Sequence, residues 1–367
     1  MPIAFIFYIK YTILVKDSQH LCGYLKEVFY MYNRYLITGG TGFLGRAIVK
    51  ELVRLNVRVD ALVLRNDPYA ALLPGEVHTV IGDVCEDDSL ERFFADADNT
   101  TCVIHCAGII SVASRSGSKL YQVNIGGTCK VIRQCLEHHI GKMIYVSSVH
   151  AIPEKPKNCV ITEDCEFSPG LVDGDYAKSK AAATEMVFSA ARQGLSVSIV
   201  FPSGIIGPGD MLGGSITSMA KSFLSGKLPF AVRGGYDFVD VRDVAKGILA
   251  CAENGESGKG YILSGHYITI RRMLQIVGKA AKLIYRPICL PLKLARLAAP
   301  YCERRCLKEK KPLFFTPYSI AVLGSNGRFT HDAATERFAY RPRPIEETLR
   351  DMTAWLVSQK AKAGSAL

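Results

Sequence analysis

The sequence predicts an α/β protein, a doubly wound parallel sheet followed by a smaller, mainly helical C-terminal lobe that would hold a substrate. Three observations carry this. Between Arg34 and about Ser203, short continuous apolar runs alternate with longer amphipathic stretches, the rhythm of buried parallel strands covered by helices on both faces. A glycine-rich turn, TGGTGFLG, joins the first apolar run to the first amphipathic stretch. After Pro202 the rhythm changes, and from 270 onward helical stretches punctuated by prolines dominate.

In chain order, RYLITG reads as a strand and GFLGRAIVKELVRL as a helix. VRVDALVLR and VHTVIGD are strands, SLERFFADA is helical and TCVIHCAG is a strand. KLYQVNIGGTCKVIRQCLEHH reads as one long helix, KMIYVSS as a strand, YAKSKAAATEMVFSAARQ as a helix and LSVSIVFP as a strand. Beyond 203, SITSMAKSFLSGKLPF contains a helix, FVDVRDVAKGILACAE reads as another, and GYILSG is a short strand. This second half is expected not to complete a sheet of its own.

The totals bound the chemistry. Of 367 residues 49% are apolar and 22% charged, enough for a real core and too few charges for disorder. Twelve cysteines without regular spacing do not resemble a secreted disulfide scaffold. Neither Cys102/Cys106 nor Cys302/Cys306 has histidines at zinc-site spacing, so reduced core thiols, no metal and a cytoplasmic protein are expected. The net charge of +11 is concentrated: residues 271–311 hold twelve basic side chains against Glu303 and Glu309, a net +10. Such charge meets anionic lipid or an acidic substrate; no nucleic-acid-binding module accompanies it, so nucleic acid is not expected. LIYRPICLPLKLARLAAPYCERRCLKEKK is apolar and basic together, and three readings stay open for 281–311: the wall of a hydrophobic pocket, a peripheral membrane contact, or a core helix with a charged outer face. The opening MPIAFIFYIKYTILV is interrupted by Lys10 and shorter than a membrane span. Met31 directly precedes the first strand, so residues 1–30 are expected to be an extension that is not native.

Gly39, Gly42 and Gly45 recur every third residue between strand and helix. Glycines there permit a tight turn and let a pyrophosphate approach the helix N-terminus. The predicted division follows: 31–203 as a dinucleotide-binding domain and 204–367 as the smaller substrate lobe, with 236–265 returning to the first core. At the end of the second strand an acidic residue would suit the ribose of NAD(H), whereas arginine suits the 2′-phosphate of NADP(H). Asp60 comes too early in the strand and Arg65 stands near its end, so NADP(H) is expected over NAD(H). Asp83 and Val84 of GDV would meet the adenine, although an ordinary turn at Gly82-Asp83 is the alternative.

YVSSVHA brings Ser147 and Ser148 to the carboxyl edge of the sheet, and Tyr176 follows Ser148 by 28 residues. Tyr176 and Lys180 lie four apart on one helical face. A serine can hold a carbonyl oxygen by a hydrogen bond while a tyrosine protonates it as hydride arrives. Lowering a phenol from ~10 to ~7 needs ~4 kcal/mol of preference for the anion, for which Lys180 and a cationic nicotinamide above the phenol are the expected sources. Asn124 would either position Lys180 through a water or cap local backbone.

In this order TGGTGFLG, GDV, HCAG, VNIGGT, YVSS, YAKSK, FPSGIIGPGD and FVDVRDVAKG resemble the extended short-chain dehydrogenase/reductases over about 34–265, as does the closing YRPRPIEETLRDMTAWL. The resemblance implies a Rossmann-type fold with Ser148, Tyr176 and Lys180 as catalytic group and Asn124 in support. It implies cofactor contacts from Gly39, Thr41, Gly42, Phe43, Leu44, Gly45, Ala107, Gly108, Tyr176, Lys180, Pro202 and Ser203, and a homodimer through the helices of 118–139 and 176–193. SSVHA lacks the paired carboxylate of the family's dehydratases, and VFPSGIIGPGD looks more like the dihydroflavonol-reductase and 3β-hydroxysteroid-dehydrogenase branches. The expected activity is therefore NAD(P)-dependent interconversion of a secondary alcohol and a ketone on a bulky, mainly apolar substrate. A sugar-nucleotide epimerase and a non-catalytic dinucleotide-binding redox sensor are the alternatives. Loops 111–118 and 150–173 are expected to shape specificity.

Overall fold

The computed structural model describes residues 32–228, 230–284 and 287–364; the expectation for 1–30 lies outside them. The strands are β1 (Arg34–Thr38), β2 (Arg58–Val63), β3 (His78–Ile81), β4 (Thr101–His105), β5 (Lys142–Val146) and β6 (Val197–Pro202), then β7 (Gly204–Ile206), β8 (Phe230–Val232), β9 (Gly235–Asp240), β10 (Gly260–Leu263), β11 (His266–Thr269) and β12 (Ile288–Leu290). Seven of them form one sheet in the order β10-β6-β5-β4-β1-β2-β3, and every neighbouring pair is parallel.

The first half supplies helices α1 (Phe43–Arg54), α2 (Asp87–Phe94), α3 (Ser118–Tyr121), α4 (Thr128–Glu137) and α5 (Asp175–Arg192). The second supplies α6 (Ser215–Leu224), α7 (Val241–Asn254), α8 (Ile270–Ala280), α9 (Leu292–Lys308), α10 (Pro317–Gly324), α11 (Asp332–Phe338) and α12 (Ile345–Gly364). Successive strand side chains point to opposite faces, and the two cores divide accordingly. Leu36, Val103, Met143 and Tyr145 share one with α2, α4 and α5. Tyr35, Ile37, Ile104 and Ile144 share the other with α1 and α7. Each large aliphatic side chain sealed there, such as Ile48 or Leu52 of α1, contributes about 1.5–3 kcal/mol. The chain winds outward from β1 to β3 and then returns to β4 on the other side of β1, so a crevice opens at the carboxyl ends of β1 and β4.

The structure corrects four expectations. The long helix over 119–139 is broken by a π turn at Gln122–Gly127, where Asn124 turns inward and Val84 packs so close to Gly127 that a Cβ there would lie 2.8 Å from Val84 Cγ2. The helix in FVDVRDVAKGILACAE begins only at Val241, because FVD belongs to β9. The second half does build sheets: β11-β9-β7 has three strands and β12-β8 has two. Strand β2 ends at Val63, leaving Leu64 and Arg65 in the turn that follows. Asp60 is fully buried, with Arg34, Arg58 and His78 all paired to its carboxylate, so its task is structural.

Candidate active site

At the crevice, Gly39 takes φ +73°, and a Cβ there would lie 2.7 Å from the backbone nitrogen of Ala107 at the exit of β4. A Cβ on Gly45 would strike the carbonyl oxygen of Gly39 at 2.1 Å. The turn and helix α1 thus touch through bare backbone, leaving a shallow cradle lined by Thr41, Gly42, Phe43 and Leu44, all half-buried. A pyrophosphate fits such a cradle at a helix N-terminus. Thr41 Oγ1 donates to Asp67 Oδ2 at 2.6 Å, and Arg46 donates to the Thr41 and Gly209 carbonyls while lying 5.8 Å from the Tyr69 ring. Arg65 is exposed in the same turn. Asp83 Oδ1 accepts from the Cys85 amide, the ordinary-turn geometry, and Val84 is buried beside Gly127. Ala107 is half-buried and Gly108 exposed, both beyond β4.

A chain of polar groups fixes the floor. The Ala107 amide donates to Thr38 Oγ1, and His105 bridges Thr38 Oγ1 at Nδ1 (2.6 Å) and Thr128 Oγ1 at Nε2 (3.0 Å). Thr128 donates its own proton to the Asn124 carbonyl, so His105 must donate from Nε2 and accept at Nδ1. Burial keeps it neutral, its pKa pushed down to about 3. Asn124 accepts from the Ile109 amide at 2.7 Å and donates to the Ile109 carbonyl and to Ser179 Oγ, both at 3.0 Å. Of its two expected tasks, the hydrogen bonds present are those to local backbone and to α5. Ser179 in turn donates to the Tyr176 carbonyl.

Tyr176 stands in the first turn of α5, half-buried, and the neighbouring Ser148 hydroxyl favours its ionised form. Ser147, in contrast, is tied to Thr184 at 2.6 Å. Lys180 is buried, donates from Nζ to the Val146 carbonyl at 2.7 Å and lies 4.5 Å from the Tyr145 ring centre. Here the expected pKa runs the wrong way. Desolvation pushes Tyr176 up to about 12, opposed by the Ser148 hydroxyl, and the same burial pulls Lys180 down to about 7. In the protein alone the lysine does not favour phenolate, because both groups share a dry pocket that penalises either charge. Pro202 and Ser203 are buried at the end of β6. Burial raises the Asp237 carboxyl to about 6, although it accepts from the Gly265 amide, and the buried Ser203 Oγ has no hydrogen-bond partner among the described residues.

Three rings that the sequence reading did not single out close the site beyond Tyr176. His150 meets Tyr176 edge-on at 5.8 Å, stacks on Tyr236 at 5.6 Å, and bonds through Nδ1 to the Tyr318 hydroxyl at 3.0 Å. The Tyr318 ring covers the start of α5, where a Cβ on Gly174 would lie 2.5 Å from it. Burial pulls His150 down to about 4, so it is neutral near pH 7. His150 was legible as a neighbour of Ser148 in YVSSVHA, but nothing local connects Tyr236 or Tyr318 to them. Loops 111–118 and 150–173 are held from the second half: Glu303 accepts from the Ser114 amide and hydroxyl, both at 2.7 Å, Thr316 donates to the Val112 carbonyl, and Asn326 donates to the Lys155, Pro156 and Cys159 carbonyls.

A glycine cradle at the switch point of a seven-stranded parallel sheet, with a serine just beyond β5 and a tyrosine and a lysine in the first turns of α5, defines an extended short-chain dehydrogenase/reductase. The chain belongs to the NAD dependent epimerase/dehydratase family, whose pattern it matches over residues 35–264. It is similar to sterol demethylase protein B of Methylococcus capsulatus, 28% identical over 87% of this chain and 97% of that one. A protein of Synechocystis sp. provisionally named dihydroflavonol 4-reductase is 30% identical over 89% and 95% of the two chains. The 3beta-hydroxysteroid-dehydrogenase/decarboxylase isoform 1 of Arabidopsis thaliana is 26% identical over 86% and 77%. Among solved structures, the crystal structure of gox2253 superposes with a TM-score of 0.77 at 26% identity, covering 89% of this chain and 98% of that one.

Proposed function

We propose that the protein is an NADP(H)-preferring oxidoreductase that interconverts a secondary alcohol and a ketone on a bulky, mainly apolar substrate. The observation that carries the substrate class is the wall facing Tyr176. His150, Tyr236 and Tyr318 are neutral rings suited to an apolar skeleton, where a sugar nucleotide would need cations for its diphosphate. The sterol and hydroxysteroid names of two relatives point the same way.

In this reading Gly39, Thr41, Gly42, Phe43, Leu44 and Gly45 hold the pyrophosphate, Asp83 and Val84 the adenine, Arg65 the 2′-phosphate, and Ala107, Gly108, Pro202 and Ser203 line the path to the nicotinamide end. When bound, the nicotinamide supplies or accepts the hydride. Tyr176, protonated up to about pH 12, is ready to donate its proton to the oxygen of a ketone as negative charge develops there. Ser148 holds that oxygen, and Lys180, fixed at the end of β5 by its bond to the Val146 carbonyl, positions the first turns of α5 that carry the phenol. Alcohol oxidation requires Tyr176 to lose its proton, which the protein alone does not favour. Residues 204–364 act as the substrate lobe, reaching over the site through Tyr236 and Tyr318.

The test follows reduced-cofactor absorbance with the purified protein, NADPH and a panel of ketones, ketosteroids and sugar nucleotides. Turnover with apolar ketones is expected; turnover with sugar nucleotides alone would overturn the reading.

A further inference from the structure

Helix α9 is turned inside out. Its inward face carries small side chains, Ala295 and Ala299, and the buried Glu303, while Leu294, Leu297 and Tyr301 face water, the last two 80% and 70% exposed. These three follow at steps of three and four residues, so they form one stripe, which Arg304, Arg305 and Lys308 continue. Just upstream, Ile284 is 95% exposed and Ile288 of β12 is exposed as well. Large aliphatic side chains held in water at this density, rimmed by cations, mark an interaction surface.

Beside this stretch lies a cleft of about 1010 Å³ between α8, β12 and α12. Leu274, Leu283 and Ile288 contribute apolar lining, and Arg233, Arg271, Lys279 and Arg350 contribute charge. Among the described residues these four cations form no ion pair, whereas Arg272 reaches Glu346 at 3.7 Å. The acidic side chains nearby are already engaged: Glu303 by Ser114, Glu309 by Arg305 and Lys311, and Glu346 by Arg272.

We propose that the surface formed by α9, the exposed Leu283, Ile284 and Ile288 and this cleft docks the protein onto an anionic lipid bilayer, with the apolar stripe entering the interface and the cleft receiving lipid headgroup phosphate. Charge and shape select this occupant. A second copy would oppose one segment of net +10 to another, and the exposed side chains are mostly aliphatic, unlike the stacking aromatics of a single-strand nucleic-acid surface. Among the described residues no helix is long and apolar enough to cross a membrane, so attachment through this surface is peripheral. Glu303, on the inward face of α9, holds loop 111–118, so docking places the roof of the candidate active site at the lipid surface. The inference goes beyond the substrate reading and is tested without cofactor or substrate.

The experiment is flotation of the full-length protein with vesicles of phosphatidylcholine, alone or mixed in equal parts with phosphatidylglycerol. Binding to the mixed vesicles, weak binding to the neutral ones and loss on adding salt are expected. Arg233→Ala and Arg350→Ala should each weaken binding about fivefold, the equivalent of ~1 kcal/mol per cation. Leu297→Ser with Tyr301→Ser should weaken it further with an unchanged melting temperature, since both side chains are exposed. No binding by the unaltered protein overturns the proposal. So does undiminished binding by the combined variants, which would assign attachment to another part of the chain. Dimerisation that these substitutions abolish, or tighter binding to a duplex oligonucleotide than to vesicles, overturns it too.

Discussion

Lys180 Nζ donates to the carbonyl of Val146 at 2.7 Å, tying the first turns of α5 to the last residue of β5. The two elements thereby meet beside Ser148 and Tyr176. The contact gives Lys180 a positioning task that does not depend on its charge reaching the phenol, and it accounts for a buried ammonium that has a carbonyl partner but no carboxylate.

Tyr176→Phe keeps the ring against His150 and removes only the hydroxyl. Turnover should fall about 10²–10⁴-fold, the range for losing a general acid. Cofactor affinity, followed by fluorescence titration, should be nearly unchanged. A large loss of binding would contradict the assigned role.

Arg65 is exposed in the turn after β2 and makes no ion pair among the described residues. Arg65→Ala should weaken NADPH binding by about tenfold or more, as expected for losing a charge-assisted bond of ~1.5–3 kcal/mol, and leave NADH binding nearly as it was. Equal weakening of both cofactors in calorimetric titration would end the phosphate-contact reading.

Tyr318→Phe removes the hydroxyl bonded to His150 Nδ1 and keeps the ring. A net hydrogen bond is worth about 1 kcal/mol, so KM for an apolar ketone should rise about fivefold through looser placement of His150, with cofactor affinity unaltered. An unchanged KM would remove His150 from the substrate wall.

His105 resists protonation until about pH 3, whereas an imidazole in the unfolded chain accepts its proton near 6.5. Between those values the unfolded chain binds a proton that the folded one refuses. Stability is therefore complete above about pH 6.5 and falls below it, by ~1.4 kcal/mol per pH unit. His150, held near 4, adds a slope of the same sign. Thermal melts from about pH 7.5 down to about 5 should show a falling Tm that His105→Gln makes shallower; identical slopes in the two proteins would disprove the assignment.

The parallel sheet was legible because buried strands are short continuous apolar runs and amphipathic helices separate them, a purely local signal. The glycine turn, Ser148, Tyr176 and Lys180 were legible for a related reason: each sits at a strand end or in one helical turn, where spacing along the chain equals spacing in space. The π turn at Gln122–Gly127 was not, because Asn124 is drawn inward by Ile109 and Ser179 from other elements. Nor were β7, β9 and β11, whose pairings join Gly204 to Phe238 and His266 back to Phe238 across long intervals of chain.

Amino-acid order alone determined the winding of the sheet, the position of the glycine cradle and the concentration of positive charge between 271 and 311, since each depends on neighbours in sequence. Tertiary structure decided the proton affinities of Tyr176 and Lys180, because desolvation is set by everything packed around a group and a charge four residues away does not override it. It also brought Tyr236 and Tyr318 against His150 and turned the apolar stripe of α9 toward water, arrangements that depend on which faces meet once the chain has closed on itself.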